Sequence, residues 1–227
     1  MMKALICRIA FFEALFKSHY TKGFRLSYLI PLPTSVAGMF GAMLGIPRTD
    51  VGREFKDFMF GAVIIKHKGI VRENVTFLQN KAGKTVKGVA KTFIINEPDY
   101  VIAMAGDSIK LENFRIRLDE KLCYLPYGGQ NDFFPRDYRI FKDLEEVEDS
   151  NLVRNYAPSD WVESLKTNGV SELQILPVMH KFQTSPSFHF IANGELLLCK
   201  SIPCVARRGI GLYYLRDFYS VGEGADA

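Results

Sequence analysis

Histidine, cysteine and tryptophan are scarce in this chain, at four, four and one among 227 residues. The cysteines (Cys7, Cys123, Cys199, Cys204) form no Cys-x-x-Cys pair, and none stands near a histidine at zinc-ligand spacing. That spacing excludes a zinc finger or a redox dithiol, and a chain long enough to bury an ample core has no need of a disulfide framework. Reduced, mostly buried cysteines are expected, with no metal and no cofactor. No Gly-x-x-x-x-Gly-Lys-Ser/Thr loop occurs, which argues against nucleotide hydrolysis. No Ser/His/Asp arrangement emerges, which argues against a general hydrolase. Long apolar runs are missing too. The 22 residues between Arg25 and Arg48 carry no charge and are long enough to span a bilayer. Pro31, Pro33 and Pro47 punctuate them, however, and their apolar residues are periodic. Arg8 interrupts the apolar N-terminus too early for a signal peptide. A cytoplasmic protein is expected.

What is present is a globular composition, 48% hydrophobic and 24% charged. The length suits one large domain, or one domain with a small second unit. Net charge is only +4, but it is unevenly spread. Residues 1–142 hold 22 Lys and Arg against 13 Asp and Glu, whereas 143–227 hold 7 against 12. A basic front part implies an anionic partner there.

Hydrophobic periodicity supplies the order of elements. Residues 3–12 read as a central strand and 24–30 as an extended run closed by Pro31 and Pro33. Val36, Met39, Phe40, Met43 and Leu44 follow helical spacing, with Thr34 or Ser35 as cap and Gly45 as stop. Residues 61–79 and 86–95 are rich in Val, Ile, Thr and Phe around Lys81-Ala82-Gly83-Lys84, which predicts a long hairpin over 61–95. A strand over 99–105 precedes a second helical stripe of Leu111, Phe114, Leu118 and Leu122, capped by Asp107 or Ser108. A strand over 123–127 ends at Gly128-Gly129. Strand, helix, two strands, helix, strand is the split βαβ, or ferredoxin-like, order. It places both helices on one face of an antiparallel sheet and leaves the other face free. The acidic run 143–149 reads as a solvated linker, dividing a domain over 1–142 from a small β-rich unit over 143–227. In that unit Asp160 and Glu163 suggest a short helix stopped by Asn168-Gly169. Asn193-Gly194, between two apolar runs, is the strongest short hairpin signal in the chain. Residues 210–218 read as a last strand. The expected class is therefore α+β.

Several groups of residues suit RNA. Lys66, Lys68, Arg72, Lys81, Lys84, Lys87 and Lys91 face a single acid, Glu73, along the hairpin. Lysines of this kind position a phosphate backbone and do not read bases; the plain alternative is lysine protection of a sheet edge. In segment 17–28, Tyr20 or Phe24 offers stacking while Lys22 and Arg25 offer phosphate contacts; the alternative is an ordinary loop. Gly38, Gly41 and Gly45 fall within about 60° of one another on the first helix, opposite its apolar stripe. A bare helix face implies close approach by RNA or by another backbone, inside the molecule or outside it. Thr34 and Ser35 open a helix N-terminus that suits phosphate. Gly128, Gly129 and Gln130 form a turn able to clamp a nucleotide or a backbone. Arg207-Arg208-Gly209 is a further small basic spot.

The run Ser27-Tyr28-Leu29-Ile30-Pro31-Leu32-Pro33-Thr34-Ser35-Val36-Ala37-Gly38, continued to Leu44-Gly45, resembles the opening of the "Cas five" family of CRISPR-associated proteins, in the repeat-associated (RAMP) superfamily. Leu29 stands where that family often has proline, and Leu32 separates the two later prolines. Tyr124-Leu125-Pro126-Tyr127-Gly128-Gly129-Gln130-Asn131-Asp132-Phe133 is similar to the family's Tyr-Leu-Gly-x-Ser-x-Phe strand end, with Gly129 and Asp132 as departures. The resemblance covers the first ~140 residues and is of the type I-A or I-B kind. It implies a ferredoxin-like domain with a protruding hairpin thumb and a small C-terminal domain. It also implies a non-catalytic subunit of a Cascade surveillance complex acting in antiviral defence. Such a subunit holds the 5′ handle of CRISPR RNA and touches the "Cas seven" backbone and "Cas eight"-type large subunits. Two alternatives stand beside it. One is a metal-independent endoribonuclease processing the precursor RNA, for which Tyr20, His67, Lys66 and Lys68 are the available side chains, as one branch of the family uses Tyr, Lys and His. The other is a bridging subunit without RNA contact.

Overall fold

The fold is set by one strand that is apolar on both sides. In a computed structural model describing residues 2–18, 23–81, 83–182 and 185–218, β1 (Lys3–Phe11) is buried almost throughout and lies inside a sheet. After it come short β2 (Glu13–Ala14) and β3 (Phe24–Arg25), α1 (Pro33–Leu44), the single turn α2 (Val51–Glu54), β4 (Met59–Lys66), β5 (Ile70–Lys81), β6 (Lys84–Asn96), β7 (Asp99–Gly106) and α3 (Ser108–Glu120). The chain continues with β8 (Pro135–Ile140), β9 (Glu145–Val153), β10 (Tyr156–Pro158), β11 (Val162–Pro177), β12 (Ser187–Val205), β13 (Ile210–Gly211) and β14 (Tyr213–Tyr214). The molecule is thus mostly β, compatible with the expected α+β class.

β8, β1, β7 and β4 are neighbours in that order, and every pairing is antiparallel. Alternate residues of β1 feed two cores, as the two-residue period of a strand requires. Leu5, Cys7, Ile9 and Phe11 face a large core containing Val36, Met39, Phe40 and Met43 of α1 and Leu111 and Leu118 of α3. Ala4 and Ile6 face a smaller core with Met59, Val63, Ala103 and Ala105. That second face was expected to be free. The structure corrects this: Val205, Ile210 and Leu212 cover part of it. β13 pairs with β12 while β14 pairs with β4, so the strand circuit curls back on itself. Gly61 permits this closure, because a Cβ there would lie 2.4 Å from the carbonyl oxygen of Gly211.

Other expectations are corrected for physical reasons. The acidic run is no linker but strand β9. Lys3 and Ala4 pair with Glu146 and Glu145, and the far end of β9 pairs with β12. Its acids line a strand paired with β1 and β12, and Lys3 meets Glu146 at 3.0 Å. No hydrogen-bonding gap therefore separates 1–142 from 143–227, and Tyr28 stacks on Phe190 at 5.3 Å across that line. The strand that follows α3 and pairs with β1 is β8, not the expected 123–127; Gly128 and Gly129 turn the chain there instead. The short helix expected from Asp160 is only a 3-10 turn, followed by the 16-residue β11. Asn193-Gly194 makes no hairpin turn. It is an irregularity inside the 19-residue β12, with Asn193 at φ +56, because β11 continues to pair on both sides of it. The last strand, expected over 210–218, is two short bridging strands and a 3-10 turn, and 24–30 is a strand only at Phe24–Arg25.

α1 begins with Pro33 at its first position and Leu32 as cap residue, so neither Thr34 nor Ser35 caps it. Gly45 ends it at φ +72, as expected. α3 is capped as expected, the Asp107 side chain accepting from the Lys110 N–H at 3.0 Å. Of the cysteines, Cys7 and Cys204 are buried while Cys123 and Cys199 are exposed, so the expectation of mostly buried thiols holds for two. Burial pushes the Cys204 thiol up to about 12.

Candidate nucleic-acid interface

β5 and β6 form a ribbon in unbroken register, from Ile70 opposite Ile95 to Lys81 opposite Lys84. β-branched residues on both strands favour the extended state. Gly83, at φ +77, occupies the left-handed position of the turn. The hairpin therefore runs over 70–96; β4, assigned to it from the sequence, belongs to the large sheet.

Strict alternation sorts the ribbon's charges between its faces. Arg72, Lys87 and Lys91 fall on one face with Leu78, Val89 and Phe93, and no acid of either strand shares it. Leu78 and Val89 are 71% and 65% exposed there. The other face carries Lys84, Glu73 and Phe77, whose ring lies over Gly88; a Cβ at Gly88 would stand 2.5 Å from that ring. β3 pairs parallel to β6 and adds a residue to each face. Phe24 meets Phe93 edge-on at 6.4 Å, and Arg25 lies 5.7 Å over Phe77. The acid-free face thus combines three cations, exposed apolar carbons and an aromatic pair, the chemistry that tracks a single-stranded backbone.

The ribbon base is fixed. Lys68 N–H donates to Asn96 at 2.8 Å, and Asn96 N–H donates to Gly69 at 2.9 Å. Lys68 meets Glu97 at 2.6 Å and Arg136 meets it at 2.7 Å. The Lys68 ammonium, with Arg136 beside it, holds the Glu97 carboxyl below its ordinary range. Lys68 is thereby engaged, unlike exposed Lys66. His67 Nε2 lies 2.8 Å from Glu172 of β11, and its Nδ1 accepts from Gly69 N–H at 3.0 Å. His67, beside the ribbon base, is thus held at both ring nitrogens by its own chain. Burial lowers the pKa of His189, whose Nδ1 lies 3.0 Å from Ser159 Oγ. Among the described residues no group of three His, Cys, Asp or Glu is placed to hold a metal ion.

The remaining sequence candidates fall in different places. Tyr20 and Lys22 lie outside the described residues, and Lys81 is placed only as backbone at the tip. Thr34 is exposed and Ser35 half-buried on the first turn of α1. The glycine face of α1 divides. A Cβ at Gly41 would stand 2.9 Å from Val51 Cγ2, and one at Gly45 would stand 2.8 Å from Cys123 Sγ, so both serve internal packing. Gly38 has nothing within 4 Å of such a Cβ. Gly41→Leu is consequently expected to strain the fold, and Gly38→Leu is the substitution that tests docking. The Gly38 variant should keep its melting temperature within about 2 °C and weaken assembly with partner subunits; an unchanged pull-down would make Gly38 a plain surface residue. Gly128 and Gly129 clamp a backbone of the same chain. Gly128 accepts from Leu15 N–H at 2.7 Å, and a Cβ at Gly129, φ +96, would sit 2.1 Å from the Leu15 oxygen. The Gln130 carbonyl closes this turn by accepting from Phe133 N–H at 3.1 Å.

No family model and no curated protein matches the chain. Solved structures do. A chain of a CRISPR RNA-guided surveillance complex aligns over 87% of this chain and 91% of its own, with TM-score 0.50 and 15% identity. The two share a fold. A crystal structure described as a Cas protein aligns over 86% and 95%, with TM-score 0.44 and 13% identity. A chain of a type III-B Cmr-beta complex bound to cognate target RNA and AMPPnP aligns over 86% of each, with TM-score 0.39 and 14% identity. In its fold the chain therefore resembles a chain of a CRISPR RNA-guided surveillance complex. No helix among the described residues is long and apolar enough to cross a membrane.

Proposed function

We propose that this chain is a non-catalytic RNA-binding subunit of a type I CRISPR surveillance complex in the cytoplasm. It holds the 5′ handle of CRISPR RNA and bridges the "Cas seven" backbone and the "Cas eight"-type large subunit. On this reading the β8-β1-β7-β4 sheet is the ferredoxin-like palm, β5–β6 is the thumb, and 143–227 is the small β-rich unit fused to the palm's open side. The observation that carries it is the acid-free face of the ribbon, with Arg72, Lys87 and Lys91 beside Leu78 and Val89. Likeness in fold to a chain of an RNA-guided complex supports it.

Incubation of the full chain with labelled repeat RNA in EDTA tests the reading. Retention of intact RNA is expected. Cleavage in EDTA would transfer the function to a metal-independent endoribonuclease, and absence of RNA contact inside the assembled complex would leave a protein bridge. His67→Ala sharpens the comparison. Its side chain ties the ribbon base to β11 through Glu172. The variant should leave mature CRISPR RNA length unchanged in a reconstituted system, whereas accumulation of unprocessed precursor would contradict the scaffold reading.

A further inference from the structure

A cleft of about 690 Å³ opens where the second face of the sheet is left uncovered. Val63, Ile65 and Val101 form its floor, and Arg154, Lys166, Arg207 and Arg208 stand on its walls against one acid, Glu195. The cations come from three places in the chain: the end of β9, the middle of β11 and the turn after β12. Folding therefore gathers a basic cluster that is dispersed in sequence.

The cluster contains fixed and free members. Arg154 N–H donates to the Gly209 carbonyl at 2.7 Å, and the Arg154 stem lies across Gly209, whose φ is +65. Its guanidinium meets Glu195 at 2.7 Å. Arg208 donates from Nε to Glu145 at 2.8 Å and lies 4.4 Å over the Phe141 ring. These contacts lock the 206–209 turn against the wall. Arg207 and Lys166 are exposed, and neither has an acid partner among the described residues. Among the described residues no aromatic ring lines the cleft, so what lines it offers charge and no stacking platform.

We propose that this cleft binds the phosphate backbone of the RNA strand held by the ribbon, as a second, sequence-independent contact. The inference rests on the RNA-binding reading above. Position favours it over an acidic protein segment: the cleft floor runs out through Ile65 into exposed Lys66, and the ribbon starts four residues later. The His67–Glu172 contact joins the ribbon base to β11, the strand that also carries Lys166. The ribbon base and the cleft are therefore joined through β4 and β11.

The test compares four full-length proteins: wild type, Lys166→Gln/Arg207→Gln, Arg72→Gln/Lys87→Gln/Lys91→Gln, and all five together. The probe is a fluorescent single-stranded RNA of 30 uridines, titrated across salt concentrations. Two lost phosphate contacts should lower the slope of log K against log salt by ~1.4, or about 25-fold in affinity at 0.1 M salt relative to 1 M. The five-site variant should show the sum of both losses. Lys166→Gln alone, expected to lose about half as much, keeps the test valid if the double variant folds poorly. An unchanged slope in the cleft variant beside a reduced one in the ribbon variant would overturn the cleft and leave the ribbon standing. Unchanged slopes in both would overturn both. If poly-L-glutamate binding is lost with Lys166 and Arg207 while RNA binding is untouched, the cleft serves an acidic protein segment and the inference falls.

Discussion

Gly61→Val is expected to lower stability by about 3 kcal/mol or more, at the upper end of the overpacking range. A Cβ at Gly61 would stand 2.4 Å from the Gly211 oxygen and 2.8 Å from Ile210 Cγ2. The nearest atom is backbone, so it cannot rotate aside. β13 and β14 would have to lift away from β4, exposing Ile210 and Leu212, which are buried against the second face. A midpoint of thermal unfolding ~6–12 °C lower is the expected reading for a chain of this size. Limited proteolysis should cut first in 206–214. Gly38→Ala supplies the contrast, because its Cβ meets nothing and removal of a mid-helix glycine stabilises by about 0.4–1 kcal/mol. Equal midpoints for the two variants would mean that the closure of the strand circuit contributes little.

The largest expected effect on binding comes from the acid-free ribbon face. Replacing Arg72, Lys87 and Lys91 by glutamine removes three charges from one side of the ribbon. At about 0.7 per neutralised charge on a single strand, the salt slope should fall by ~2, which is roughly 100-fold in affinity at 0.1 M salt relative to 1 M. Handle RNA and scrambled RNA should lose equally, because phosphate contacts carry no sequence information. Lys84 lies on the other face with Glu73, so Lys84→Gln should change the slope by less than one charge's share. Loss from Lys84→Gln equal to that of the triple variant would mean that the strand wraps the tip and does not follow one face. Glu146→Gln, at the start of β9 and outside both the ribbon and the cleft lining, should not weaken binding.

The contrast between Lys84 and Lys87 also shows what was legible in the sequence. A basic hairpin with its turn at 82–83 could be read directly, since β-branched runs and a glycine turn are local signals. Which lysines share a face depends on register, and counting outward from the turn sorts them once the turn is fixed. β1, both helices, β7 and the Asp107 cap were legible for the same local reason. The failures arose where tertiary pairing overrode local chemistry. Asn193-Gly194 is a hairpin signal in isolation, but β11 pairs with β12 on both sides of it. The acids of 143–149 suggest solvent, yet the backbone there completes the edges of β1 and β12. Gly41 and Gly38 look alike on a helical wheel; only the position of Val51 separates them. The cleft was represented in sequence by Arg207-Arg208 alone, because Arg154 and Lys166 reach it from elements about 40–50 residues away.

The central claim is that this chain grips the 5′ handle of CRISPR RNA through the ribbon. It is tested most directly by photocrosslinking in the assembled complex, with 4-thiouridine placed in turn at each handle position and the crosslinked peptides identified. Crosslinks from handle nucleotides to peptides within 70–96 are the predicted result. Handle crosslinks confined to other subunits, with this chain unlabelled at every position, would contradict the account.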